Sequence, residues 1–423
     1  LTSIFQFRFK KDFLLFGIQG NYTSKLEMIY KSLFILGRTP GIGRAELESL
    51  YGAEHFVAAD DFAMFSDLPV SDVDFQRLGG TVKLAHVVGL SRNASNWRNL
   101  QSELAKHSVA LAQEVAEGSK IQLGVSVYGV NTNPRQLMAA GLEMKKALRA
   151  HGYSVRLVPN QETALSSAQV LHNHLTGERG IELIAVQHGS EAVIARAVAV
   201  QDINAYAARD QNRPKRDAFV GMLPPKLAQT IVNLATGPET PAESTVILDP
   251  FCGTGVILQE AGLMGYGMYG SDLETRMVDY SAKNLEWLAE RATVSSPVLE
   301  VGDATTHQWA SPFSVVASET YLGRPLSSWP NPDKLQEIIG TCNVIIGHFL
   351  KNIRDQTKPG LRLCLALPAW RAPEGRIRHL PLLDHLEEMG YNRVSFEHAS
   401  AEQLVYYRPD QLVARELLVI TRK

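Results

Sequence analysis

The chain has 423 residues, 45% hydrophobic and 20% charged, with a formal net charge of −2. That length suits two or three domains, and no apolar run is long enough to span a membrane as a helix. The near-neutral charge argues against nucleic-acid binding by bulk electrostatics. Cys252, Cys342 and Cys364 stand too far apart for a disulfide framework or a metal site, which suits a reduced, metal-free cytoplasmic protein.

Residues 1–27 pair a basic stretch with the short apolar run 13–18 and read as a leader or an appended segment; an extra strand or a partner-binding arm is the alternative. Residues 28–105 predict a small α/β unit. A strand at 29–36 turns through GRTPG into the helix RAELESLYG, and a second strand follows at 55–59. Residues 106–205 predict a second unit, with an alternating strand at 121–128. Asn133 and Pro134 then supply an N-cap and a first helical residue for a helix to about 150. A strand at 153–158, a helix at 164–175 and a strand at 181–187 complete it. Lys145, Lys146, Arg149 and Arg156 form either a basic binding face or an ordinary solvated one.

Residues 206–244 are a bridge rich in Arg and Pro, including Arg209 and Arg213. Pro224 and Pro225 open a helix whose apolar stripe is Leu227, Ile231 and Leu234. Residues 245–423 then alternate strands and helices. Strands are expected at 245–249, 268–272, 298–301, 313–318 and 362–368, then near 394–398 and at 412–420. This is an α/β pattern, a doubly wound and mostly parallel Rossmann-like sheet.

The strongest chemical signal is Asp249-Pro250-Phe251-Cys252-Gly253-Thr254-Gly255. An apolar strand ends in an acid and turns through two glycines into an apolar helix, so the backbone can approach a ligand at a strand's carboxyl end. Leu258 stands where a pyrophosphate-binding turn wants a third glycine. S-adenosylmethionine (SAM) has no pyrophosphate, and its amino group favours a carboxylate such as Asp249. Asp272, at the end of the next strand, can accept from ribose hydroxyls or cap the following helix. Phe251 and Leu273 join this expected cofactor site. Asp303 and Ala304 after the third strand either face an adenine or form a plain turn. At the fourth strand end, Glu319 can accept from an exocyclic amine and Tyr321 can stack on a base, with Thr320 between them. Capping and packing are the structural alternatives for this pair.

As a set, these residues resemble the THUMP-domain tRNA guanosine-N2 methyltransferases, the archaeal and eukaryotic type acting at position 10. The bridge RDQNRPKRDAFVGMLPPKLAQTIVNLA is the most specific match. LDPFCGTG, YGSDLETRMVDYSAKNLEWL and the ending LVYYRPDQLVARELLVITRK are similar to its cofactor motifs and final hairpin. The resemblance implies a ferredoxin-like domain at 28–105 and a THUMP-like RNA-binding domain at 106–205. A linker at 206–244 and a class I SAM methyltransferase domain at 245–423 follow. It further implies phosphate contacts from Arg135, Lys145, Arg149, Arg156, Arg209 and Arg213, a tRNA partner, and in some lineages a small activator protein. One departure stands out: Ser318-Glu319-Thr320-Tyr321 occupies the place of the family's Asp-Pro-Pro-Tyr. Counting from the strand start puts Glu319 in the acid's place; counting back from Tyr321 puts Ser318 there. The implied activity is methyl transfer to guanosine N2 in tRNA. The alternatives are adenine N6 in nucleic acid and a non-catalytic RNA-binding homologue.

Overall fold

The computed structural model describes residues 30–423 apart from 95, 116, 117, 119, 218–222, 239–241, 409 and 410. The expected leader at 1–27 lies outside the described residues. None of the described helices is long and apolar enough to cross a membrane.

The N-terminal half builds one sheet from β1 (Ser32–Leu36), β2 (Phe56–Asp60), β3 (Ala63–Ser66), β4 (Thr81–Ser91), β5 (Lys120–Tyr128), β6 (Ser154–Leu157), β7 (Gly180–His188) and β8 (Glu191–Val200). Their order is β2-β3-β1-β4-β8-β7-β5-β6. Antiparallel pairing of β4 with β8 makes one continuous sheet of strands from 28–105 and 106–205. Helices α1 (Pro40–Tyr51), α2 (Trp97–Ala112), α3 (Pro134–Ala150) and α4 (Ser167–His172) accompany it. The start of α3 follows from its sequence: Asn133 and Gln136 form a reciprocal capping box and Pro134 occupies the first turn. Sequence patterning did not single out β3, β4, β8 or α2. The alanine-rich β8 (EAVIARAVAV) has weak strand propensity and is held by the neighbours on both its sides.

Between the halves lie α5 (Ile203–Gln211) and α6 (Pro225–Thr236). Eleven of the residues of α6 are buried, and a helix apolar on nearly every side belongs in a core. It packs with Ile42 and Ala45 of α1 on one side and the second sheet on the other. Asn233 pins this joint by donating to Glu46 and to the Arg77 carbonyl, both at 2.7 Å. Arg77 in turn donates to Tyr266 at 2.8 Å, so both halves share one hydrogen-bonded seam.

The second sheet contains β9 (Val246–Asp249), β10 (Gly267–Asp272), β11 (Val298–Val301), β12 (Val315–Glu319), β13 (Arg362–Arg371), β14 (Ile377–Arg378), β15 (Tyr391–Arg393), β16 (Val405–Tyr406) and β17 (Val413–Arg422). Its path is β11-β10-β9-β12-β13-β17-β15, with β14 and β16 pairing from the side. The first five strands of that path are parallel and β17 is antiparallel to β13. Helices α7 (Val256–Leu263), α8 (Thr275–Ala289) and α9 (Pro332–Gln356) pack on it. The expected strand near 394–398 is found earlier, at Tyr391–Arg393. The chain direction across the sheet reverses between β9 and β12, and ligands of doubly wound sheets bind outside the carboxyl ends at such a switch point.

Candidate active site

The switch point places Asp249, the last residue of β9, beside Ser318 of β12. Asp249 is 1% exposed. It accepts from the Ser318 hydroxyl at 2.6 Å and from the Phe251 N–H at 3.2 Å. Burial, with Asp272 and Glu319 nearby, pushes its carboxyl up to about 7. A carboxylate in this state gains from a cation placed against it.

The loop after Asp249 is shaped by its glycines. Gly253 has φ +52° and Gly255 φ +81°, in the region that L side chains rarely adopt. A Cβ at Gly253 would meet nothing closer than the Phe251 carbonyl at 3.9 Å, so the loop is open above that point. A Cβ at Gly255 would come within 3.0 Å of Ser281, so this glycine lets α8 close on α7. Asp272 braces the loop by accepting from Gly253 N–H at 2.9 Å and from Glu274 N–H at 3.0 Å. Burial raises its carboxyl as well. Leu273, next to it, is 67% exposed, an apolar side chain held at the rim. A buried acid, an open glycine cradle, a braced second acid and a free apolar rim suit a ligand with an ammonium, a ribose and a planar base. Asp303 accepts from the Thr305 N–H at 2.9 Å and hydroxyl at 2.7 Å, forming a turn. Ala304 is buried in the core beneath.

At the end of β12, Ser318 and Glu319 diverge. Ser318 is fully buried against Asp249, whereas the Glu319 carboxylate pairs with Arg415 of β17. The sequence reading missed Arg415; the only clue was the charged pair Arg415-Glu416 opening an otherwise apolar run, ARELLVI. Burial raises the Glu319 carboxyl, and Arg415 opposes that shift. Thr320 directs both its N–H and its hydroxyl to the Ala366 carbonyl and is 3% exposed, so it closes the strand end and its side chain does not face substrate. This corrects its expected catalytic place. Tyr321 is 36% exposed beyond the strand.

The expected RNA contacts divide. Arg135, Arg149 and Arg156 are exposed and Lys145 is half-buried on and beside α3. Arg209 instead pairs with the buried Glu260 at 2.8 Å. Arg213 is 3% exposed, and its guanidinium nitrogens have no hydrogen-bond partner among the described residues. Neither is displayed to a phosphate backbone, so both leave the expected phosphate-binding set. The backbone of the Lys215 segment after them is tied to Asn284, which also holds the Thr254 carbonyl of the glycine loop. The bridge therefore braces the cofactor loop.

Comparison with known proteins bears on the same segment. Residues 213–336 match the UPF0020 family, described as an RMKL-like methyltransferase domain. A tRNA (guanine(10)-N2)-dimethyltransferase of Pyrococcus abyssi is 40% identical over 104 residues, 24% of this chain and 29% of that protein. One of the same name from Methanothermobacter thermautotrophicus is 47% identical over 79 residues, 18% of this chain and 22% of that protein. The chain thus spans less than a third of the length of these relatives. TrmN from Thermus thermophilus has a similar fold, with TM-score 0.53, 16% identity, and 93% of this chain and 100% of that one covered. SMU.472, solved in complex with SAH, superimposes with TM-score 0.50 and 11% identity over 92% of this chain and 98% of its own. The similarity to the RMKL-like UPF0020 methyltransferase domain thus falls on the segment, residues 213–336, that carries Asp249, the glycine loop, Asp272 and Glu319.

Proposed function

We propose that this protein transfers a methyl group from SAM to the exocyclic N2 of a guanosine in tRNA, near position 10, in the cytoplasm. One observation carries the reading. The matched segment 213–336 contains the residues that build the switch point: Asp249, Gly253, Gly255, Asp272, Glu319 and Tyr321.

SAM supplies the methyl group. Asp249 would hold its amino group, Asp272 its ribose, and Phe251 and Leu273 would flank the adenine. Asp303 and Ala304 would border the adenine from the turn after β11. A guanine amine is a weak nucleophile because its lone pair is shared with the ring, so positioning supplies most of the rate. Glu319 would accept an amine hydrogen through the oxygen that Arg415 leaves free, and Tyr321 would stack on the base. Arg415 serves as a positioning residue that fixes the Glu319 rotamer.

The N-terminal sheet is read as a ferredoxin-like unit at 28–105 and a THUMP-like RNA-binding unit at 106–205. Arg135, Lys145, Arg149 and Arg156 would meet phosphates there. Purified protein should transfer labelled methyl from SAM to unmodified tRNA, and nucleoside mass spectrometry should find N2-methylguanosine or its dimethyl form. Label confined to adenine, DNA or protein would overturn this reading.

A further inference from the structure

The strand beside the site runs far past it. Glu319 of β12 is in register with Ala366 of β13, and β13 continues to Arg371. At about 3.3 Å per residue those five steps carry it roughly 16 Å beyond the sheet's carboxyl edge. There it turns at Gly375, φ +85°, and β14 returns with Trp370 opposite Arg378 and Arg371 opposite Ile377. On the other flank β17 follows, with Trp370 opposite Val413. The Arg371 guanidinium stacks 3.9 Å from the centre of the Tyr407 ring and donates to the Arg408 carbonyl at 3.4 Å. The hairpin and the loop before β17 are thus joined into one wall over the substrate side of the switch point.

This wall is basic. Arg376, Arg378 and Arg408 are exposed, and Tyr407 is 41% exposed. Glu374 is the one exposed acid among the described residues of the hairpin. Glu416 below is buried and paired with His379 and Arg393. An open cleft of about 270 Å³ separates the hairpin from α9, lined by Gln336, Ile339, Arg376, Arg378 and His379 among others. In a chain of net charge −2 this cluster does not follow from overall composition. Exposed guanidiniums are suited to bidentate contact with phosphates, and an exposed tyrosine edge beside them suits a nucleic-acid strand.

We propose that the β13–β14 hairpin, through Arg376 and Arg378 with Arg408 beside them, grips the RNA backbone next to the nucleotide that enters the site. This rests on the reading of the protein as a tRNA methyltransferase. It adds a second RNA contact, on the catalytic domain itself, to the surface expected on α3. The experiment uses the full chain and unmodified tRNA, with wild type, the double reversal Arg376→Glu/Arg378→Glu, and Arg291→Glu as a distant exposed control. The double reversal should weaken tRNA binding at least tenfold and lower the slope of log K against log salt by about 1.5–2, one unit or slightly less per phosphate lost. SAH affinity should be unchanged, and the control should bind tRNA as wild type does. A photoreactive phenylalanine in place of Glu374 should crosslink within a few nucleotides of the methylated guanosine. Wild-type affinity and salt slope in the double reversal, or crosslinks confined to a distant part of the tRNA or to an acidic protein, would overturn the proposal. Failure of the wild-type protein to methylate any tRNA would instead overturn the functional reading beneath it.

Discussion

Each half of the molecule contains a buried pair of opposite charges, and the two differ in what closes them. In the N-terminal sheet, Lys83 of β4 pairs with Glu182 of β7, with side chains 2% and 0% exposed. Lys83 also donates to the Leu165 carbonyl at 2.9 Å, and Glu182 accepts from Ser126 at 2.6 Å. That pair lies within the sheet and is enclosed by protein. At the switch point, Arg415 pairs with Glu319, with side chains 4% and 15% exposed. That pair sits at the end of β12 and is the more exposed of the two. The same chemistry is closed inside the fold in one place and, under the proposed function, would hold a carboxylate for the substrate amine in the other; position relative to the sheet edge separates them.

The largest effect should come from breaking the enclosed pair. Lys83→Met leaves Glu182 charged in the interior and should cost about 3–5 kcal/mol of stability. Urea titration would show it as a lowered midpoint, and Lys83→Met/Glu182→Leu should recover most of the loss. The folded fraction of either variant should keep its affinity for SAH. An unchanged midpoint in Lys83→Met would erase the distinction between the pairs.

Opening the second pair should act on chemistry instead. Glu319→Ala should slow methyl transfer by roughly tenfold to thousandfold, the span for a preorganised polar group. Glu319→Gln should retain part of the rate. Arg415→Lys keeps the charge but loses the guanidinium fork, so it should fall between wild type and Glu319→Ala. SAH affinity should survive all three changes. Single-turnover assays at saturating tRNA isolate this step, and a wild-type rate in Glu319→Ala would leave Ser318 or a backbone carbonyl as the amine acceptor.

The comparison also explains what the sequence could carry. Asp249, Gly253, Gly255 and Asp272 lie in one short βαβ stretch, where local spacing dictates geometry, and the structure brings them together. The start of α3 was legible for the same reason, since its cap and proline are adjacent in the chain. Glu319 and Arg415 are 96 residues apart, and only strand order brings them together. The burial of Arg209 and Arg213 was equally hidden: a charged bridge looks solvent-facing until α7 supplies Glu260. The 25-residue α9 was not singled out, although Asn331 and Pro332 mark its start. The tertiary pairings of β4 and β8 leave no mark in local periodicity.

The smallest expected effect is a pH dependence, and it tests whether Asp249 faces a cation. Its carboxyl stands at about 7 in the folded protein, raised from the ordinary value of 3.8 chiefly by burial. A raised acid binds more protons folded than unfolded, so its contribution to stability is present below about 4 and is lost as pH rises through 7. Binding of SAH should show the opposite sign, because the ammonium requires the ionised form. Between pH 5.5 and 7 the ionised fraction of such a group rises by roughly fifteenfold, and SAH affinity should rise in step. Asp249→Asn should bind SAH more weakly at pH 7 and show a flat profile, since its amide does not titrate. Calorimetry at three pH values on both proteins measures this directly. A flat wild-type profile would mean that Asp249 meets no cation and serves only to anchor Ser318 and the glycine loop. In that case the carboxylates at the switch point would have to be reassigned, because the amino group would then need another anion, and Asp272 and Glu319 both stand at neighbouring strand ends.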